Sequence, residues 1–268
     1  MQFRLTLQCL EKPNGLPPLL PFNYPYRLSG WLYGLLRDAD GAYAAFLHNQ
    51  GYATPGKAGK TFKLFTFSDL RPARYALNPT RGGIELLSPQ VEWTVAFYVE
   101  QAAETFIAGL FGQQVCRIAG GGQTINFRVE RVEAQPPAPA ADCMQLRTLS
   151  PLVVAERQPG GNDRYLAPGE EAYGPLLVRN LIDKYHSVHP DVPAVAPEAF
   201  SYRLLPARKG ARSRLLAIKE GSREETRIRG YYDFGLELRG PREYLEVGLC
   251  AGLGRYNAEG CGCVEVVG

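Results

Sequence analysis

Midway along the chain stands Ala134-Gln135-Pro136-Pro137-Ala138-Pro139-Ala140-Ala141, with three prolines in four positions. No helix or central strand survives there, because each proline lacks an N–H and its ring obstructs the preceding turn. The octet predicts an interdomain linker over 134–142, with one domain over 1–133 and a second over 143–268. Each flank is of ordinary domain size, and 45% hydrophobic content in 268 residues is enough to fill two cores.

The two flanks read in a similar order, as an internal duplication would. On the N-terminal side, Gln2–Cys9 alternates as a strand, Asn23 is placed to cap a helix from Tyr24 or Pro25 to Arg37, and a short helix runs from Asp40 to His48. Strands are predicted at Phe62–Phe67, Gly83–Leu87 and Val91–Val99, then a helix at Glu100–Leu110. A turn at Gly120-Gly121-Gly122 joins Gln114–Ile118 to Gln123–Val132. On the C-terminal side, Cys143–Val154 reads as a strand broken at Pro151 and Glu170–His186 as an amphipathic helix. Strands follow at Tyr202–Leu205, Arg214–Ile218 and Thr226–Leu238, with a short helix from Pro241 to Leu249 and a last strand at Cys263–Val267. Each half is then β-α-β-β-α-β with inserted hairpins, which predicts an α+β chain of tandem ferredoxin-like, RRM-like domains.

Charge is unevenly spread along the chain. Ser201 to Gly230 carries nine basic residues, among them Arg212, Arg214, Arg227 and Arg229, against three acidic ones, whereas the whole chain has a net charge of only +3. Such a concentration suits a phosphate-backbone partner, although a solvated charged hairpin produces the same count. Six cysteines without a C-x-x-C pair, and three histidines, indicate neither a disulfide framework nor a metal site. No apolar run approaches a membrane span and the N-terminus lacks signal-peptide character, so a cytosolic protein is expected.

Near the C-terminus, Gly252-Leu253-Gly254-Arg255-Tyr256-Asn257-Ala258-Glu259-Gly260-Cys261-Gly262 holds four glycines in eleven residues. Glycine permits positive φ and exposed N–H groups that can meet a phosphate, Arg255 adds charge, and Tyr256 adds a stacking face. The segment is not a dinucleotide fingerprint, since Asn257 stands at the third glycine position and a strand follows. Gly59-Lys60-Thr61 likewise fails as a P-loop, since Thr54 replaces the required first glycine and a strand follows.

His48 lies beside a basic loop containing Lys57, Lys60 and Lys63. A histidine moves protons near neutral pH, and a lysine neutralises charge developing on a phosphate, which together suit phosphodiester cleavage. On the first helix the apolar face comprises Leu28, Trp31, Leu32, Leu35 and Leu36. Tyr33 lies roughly 130° from its centre, which predicts a phenol off the core and within reach of His48.

Four segments together resemble a family. They are the Tyr33 helix leading to Phe46-Leu47-His48; Phe62 to Ser68; Ser150-Pro151-Leu152-Val153-Val154 with Tyr165-Leu166 and Asn180 to Tyr185; and Ile228-Arg229-Gly230 through the glycine loop. The chain resembles the CRISPR-associated endoribonucleases that cut precursor CRISPR RNA within its repeats, the sixth Cas protein family of the RAMP superfamily. That resemblance implies tandem ferredoxin-like domains and an active centre of tyrosine, histidine and lysine. It carries over to Tyr33 and His48, with Lys60 favoured over Lys57 and Lys63 because it ends the loop before the strand. The implied reaction is metal-independent transesterification without a cofactor: the 2′-OH attacks the adjacent phosphorus, giving a 2′,3′-cyclic phosphate and a 5′-OH. RNA binding is expected from Lys57, Lys63, Arg212, Arg214, Arg227, Arg229 and Arg255, and from Gly252, Gly254, Tyr256, Asn257, Gly260 and Gly262. Repeat RNA is the implied partner, with other effector-complex subunits or a second copy of the chain as further ones. The alternatives are a non-catalytic RAMP subunit holding guide RNA and a scaffold whose glycine loop is only a hairpin.

Overall fold

The computed structural model describes residues 1–11, 15–57, 59–137, 141–206, 210–220 and 223–267. The first half begins with β1 (Gln2–Cys9), in which Phe3, Leu5, Leu7 and Cys9 are buried as period-2 alternation requires. There follow α1 (Tyr24–Ala39), α2 (Gly41–Asn49), β2 (Phe65–Phe67), β3 (Gln90–Phe97), α3 (Glu100–Gly112), β4 (Val115–Gly120) and β5 (Gln123–Ala134). The main sheet runs β4-β5-β1-β3-β2, antiparallel at every pairing, and Arg71–Pro72 adds a short strand on β3. Without the hairpin strand β4, its four strands and the helices α1 and α3 form one β-α-β-β-α-β unit. Leu28, Leu32, Leu35 and Leu36 of α1 are fully buried against this sheet's core, together with Trp93 and Phe106.

The second half repeats the plan with β6 (Cys143–Thr148), α4 (Tyr173–His186), β7 (Ser201–Leu204), β8 (Arg212–Ile218), β9 (Thr226–Tyr232), β10 (Gly235–Arg239), α5 (Arg242–Ala251) and β11 (Val264–Val266). Its sheet runs β7-β10-β6-β11, while β8 and β9 form a separate hairpin. The chain is an α+β protein of tandem ferredoxin-like units. Part of the expected linker, residues 138–140, lies outside the described residues.

Several expected elements are divided. Phe62–Phe67 splits at Leu64 (φ 55°) and Thr226–Leu238 at Asp233 (φ 60°), both in the left-handed region that ends a pleat. The helix expected from Glu170 starts at Tyr173, because the Glu170 carboxylate accepts the Ala167 N–H (2.6 Å) within a turn. Asn23 does not cap α1. Its amide instead donates to the Ala217 carbonyl (2.9 Å) and to Glu220 (3.0 Å) in the other half of the chain.

The halves lean closely on one another. Leu64 is buried in the second core, with Tyr52, Phe62 and Tyr98 packed against it, although all four precede residue 134. Buried hydrogen bonds from Ser29 Oγ to the Ala258 carbonyl (2.7 Å) and from Thr66 Oγ1 to the Cys261 carbonyl (2.9 Å) fasten the glycine loop to α1 and β2. His186 is buried beside the Tyr244 hydroxyl (3.1 Å), and the half-buried His189 meets the Tyr98 hydroxyl (2.8 Å). Among the described residues no helix is long and apolar enough to cross a membrane.

Candidate active site

Asp40 ends α1 and caps α2, its carboxylate accepting the Tyr43 N–H at 2.9 Å. This cap folds α2 back, so that His48 in its last turn arrives beside Tyr33. The two rings meet edge to face, with centroids 5.6 Å apart at 82°, and Tyr33 also abuts Phe65 at 5.6 Å. Tyr33 is therefore half-buried against the first core, where α1 periodicity places it off the apolar face. Burial, and secondarily the nearby Glu259 carboxylate, push its phenol well above the usual range, so it stays protonated and is a hydrogen-bond donor.

His48 is exposed, with Nδ1 2.9 Å from Asn49 Oδ1. An amide oxygen only accepts, so Nδ1 donates in this pair, and in the neutral ring the lone pair is then on Nε2. Lys63 Nζ donates to the His48 carbonyl at 3.0 Å. Burial lowers the Lys63 ammonium from its ordinary value while Glu259 opposes that shift, and burial raises the Glu259 carboxyl. Tyr33, His48, Lys63 and Glu259 line one cleft of about 750 Å³, with Arg27, Arg37, Arg117 and Lys219 also on its walls.

Lys60 is placed elsewhere. Its ammonium and that of Lys57 both pair with the Asp183 carboxylate, whose side chain is only 4% exposed, and Thr54 Oγ1 donates to the Asp183 carbonyl at 3.1 Å. The loop expected to offer its last lysine to the scissile phosphate is thus strapped onto α4. Of the three lysines weighed from the sequence, Lys63 is the one whose ammonium reaches His48.

The glycine loop also differs from an open phosphate cradle. Gly252, Gly254, Gly260 and Gly262 all have positive φ, yet all are buried. At Gly262 a Cβ would lie 1.9 Å from the Leu253 carbonyl oxygen, so the close approach that glycine permits is to the chain's own backbone. The N–H groups of Leu253, Arg255 and Gly262 donate to Gly262, Val153 and Pro151 carbonyls, each at 2.8 Å. Inside the loop, Lys184 Nζ is fully buried and donates to the Gly252 carbonyl (2.5 Å), the Gly254 carbonyl (2.9 Å) and Asn257 Oδ1 (2.7 Å). Desolvation, with the Lys60 charge adding, drives that ammonium well below its usual range. What the loop turns outward is the half-buried set Arg255, Tyr256 and Glu259, with Arg255 5.3 Å from the Tyr256 ring centre and 2.9 Å from Asp163, while the Asn257 amide turns inward and donates to the Leu253 and Cys261 carbonyls at 3.0 Å.

The basic stretch divides in two, and Arg208 and Lys209 lie outside the described residues. Arg214 points inward and pairs with Asp69, which also accepts the Tyr24 hydroxyl at 3.1 Å. Arg227 and Arg229 stand exposed on the outer face of the β8–β9 hairpin, bonded to Glu225 (3.0 Å) and Ser213 Oγ (3.0 Å), while Arg212 meets Asp233 (3.2 Å). Glu259, Lys184, Asp183 and Asp69 were not among the site residues expected from the sequence. The one local signal was for Glu259, an acid inside a glycine-rich loop; the others acquire partners only through tertiary contact. Among the described residues no group of three or more His, Cys, Asp or Glu side chains is arranged to hold a metal.

The family model described as CRISPR associated protein Cas6, C-terminal matches residues 134–266. A curated relative, CRISPR-associated endoribonuclease Cas6 1 of Methanocaldococcus jannaschii, is 25% identical over 174 residues, covering 64% of this chain and 62% of the relative. The match thus spans less than two thirds of that protein's length. Among solved structures, one described as a Cas6-related gene from Pyrococcus furiosus superposes with a TM-score of 0.81 at 21% identity, covering 100% of this chain and 98% of the other. Another, described as an RAMP protein binding different RNA substrates, gives 0.80 at 21% identity and 100% of both chains. A third, CRISPR associated protein Cas6, gives 0.71 at 23% identity, with 100% and 99% covered. Residues 134–266 thus form a Cas6 C-terminal family domain, and the chain as a whole shares the tandem fold of these solved structures.

Proposed function

We propose that the protein is a metal-independent endoribonuclease that cuts precursor CRISPR RNA within its repeats. The observation that carries this reading is the cleft in which Tyr33 and His48 meet edge to face and Lys63 bonds the His48 carbonyl. The curated relative is itself named an endoribonuclease, which supports the same class of activity.

In the proposed reaction His48 Nε2 takes the proton of the ribose 2′-OH as that oxygen attacks the adjacent phosphorus. Tyr33, kept protonated by burial, donates to the departing 5′-oxygen. Lys63 replaces Lys60 as the cation facing the non-bridging oxygens, where fixed charge in a partly buried cleft stabilises the phosphorane better than water does. The products are a 2′,3′-cyclic phosphate and a 5′-OH. Arg227, Arg229 and Arg255 contact the RNA backbone, whereas Arg214 and the buried glycines shape the surface without touching it.

The test is incubation of end-labelled repeat RNA with the protein in EDTA, beside His48→Ala and beside RNA carrying a 2′-deoxy at the cut. A single cut is expected, slowed about 10²- to 10⁴-fold by His48→Ala and abolished by the 2′-deoxy. Full cleavage by His48→Ala would remove the assignment; tight binding without any cut would make the protein a guide-holding subunit instead.

A further inference from the structure

A second cleft, of about 500 Å³, opens between the 59–64 segment, α4 and the glycine loop. Within it Asn180 breaks an ordinary rule. It is nine-tenths buried, yet its Oδ1 has no hydrogen-bond partner. A buried amide oxygen left unpaired costs stability that leucine at the same point of α4 would not, and a donor brought into the cleft by a ligand would satisfy it.

The chemistry around Asn180 identifies the ligand. An asparagine amide sets a donor beside an acceptor, the pattern on a nucleobase edge. Phe62 and Tyr256, both half-buried, line the same cleft as flat apolar faces, and Arg179 is exposed at its rim. Splayed bases of single-stranded RNA are held in this way, by stacking and by edge hydrogen bonds, with a cation near the phosphate. Lys63 and Glu259 line both this cleft and the one containing Tyr33 and His48, so the two are neighbours along a strand lying across that pair.

We infer that this cleft holds one unpaired nucleotide next to the scissile phosphate and that Asn180 reads its base. The inference rests on the nuclease reading for its substrate and names a determinant of where that substrate is cut. One base pocket makes the choice of repeat depend on a single position beside the cut, not on backbone charge alone.

An abasic scan tests it. Repeat RNAs each lacking one base, moved through the positions on both sides of the cut, are measured for binding to the His48→Ala protein and for cleavage by the wild type. The expected profile has one position at which affinity falls about tenfold or more. Asn180→Leu in the same background should lose that dip, binding the abasic RNA within about twofold of the intact repeat, and in the active protein it should raise KM. Asn180→Ala, which only removes atoms, gives the same reading should the leucine variant fail to fold. A flat profile, or a dip that both variants retain, overturns the pocket. A dip without wild-type cleavage sinks the nuclease reading and leaves the pocket standing, whereas absence of RNA binding removes both. Competition by free mononucleotides at the concentrations that bind repeat RNA would make the cleft a small-molecule site and overturn its assignment to the strand.

Discussion

Three lysines within seven residues, Lys57, Lys60 and Lys63, look equivalent in the sequence and are not equivalent in space. Two are held by Asp183, and one reaches the carbonyl of His48. Lys63→Ala should therefore slow single-turnover cleavage by about 10²- to 10³-fold with little loss of affinity, as removal of one transition-state donor does. Lys60→Ala should leave the chemical step within a few fold; the opposite ranking would return the role to Lys60. Glu259 predicts a pH effect in the same cleft. Burial raises its folded-state carboxyl above the unfolded value, so its stabilising contribution is full below about pH 4 and is lost as pH rises through the raised value. Glu259→Gln should flatten that part of the stability curve when thermal unfolding is followed from about pH 4 to pH 7. An unchanged slope would mean that this carboxyl does not titrate in the fold.

At the scale of elements, the glycine loop is a folded plug around the Lys184 ammonium, and its glycines answer to internal packing. Gly262→Ala places a Cβ on the Leu253 carbonyl at a φ of 73° and should destabilise the protein by about 2–4 kcal/mol. Gly121→Ala is the control, with positive φ but nothing within 4 Å, and should cost about 1 kcal/mol. Equal losses in denaturant titrations would show that φ alone, and not close approach, sets the need for glycine. The same contrast explains how much was legible beforehand. β1, α1 and the β4–β5 hairpin follow from period 2, period 3.6 and a triple-glycine turn, all of them local signals. The break at Leu64 carries no such signal, because leucine rarely adopts a left-handed conformation, whereas Asp233 is of a type that does and its signal was overridden by the apolar run around it. Tyr33 and His48 were within reach because a short helix pair brings them together. The strapping of Lys60 to Asp183 joins residues 123 apart, and no periodicity reports such a partner.

Across the whole molecule, the second core is completed by residues from the first half: Leu64 is buried in it, and Phe62 and Tyr98 pack on it. Arg214 of the β8–β9 hairpin, 27% exposed in its side chain, pairs with Asp69 and so fastens a C-terminal element to the N-terminal half. This separates two arginines that composition counts alike. Arg229 is exposed and faces outward, so under the proposed function Arg229→Ala should reduce the slope of log affinity against log salt by about one phosphate contact. Arg214→Ala should leave that slope unchanged and lower the unfolding midpoint, since it strands Asp69 beside the Tyr24 hydroxyl. Because the cores share residues, the loss should appear as one shifted cooperative transition, with intrinsic fluorescence and far-UV circular dichroism moving together. Two separated transitions in the wild type would show instead that the halves fold as independent domains, and the shared core would then contribute little to the stability of either.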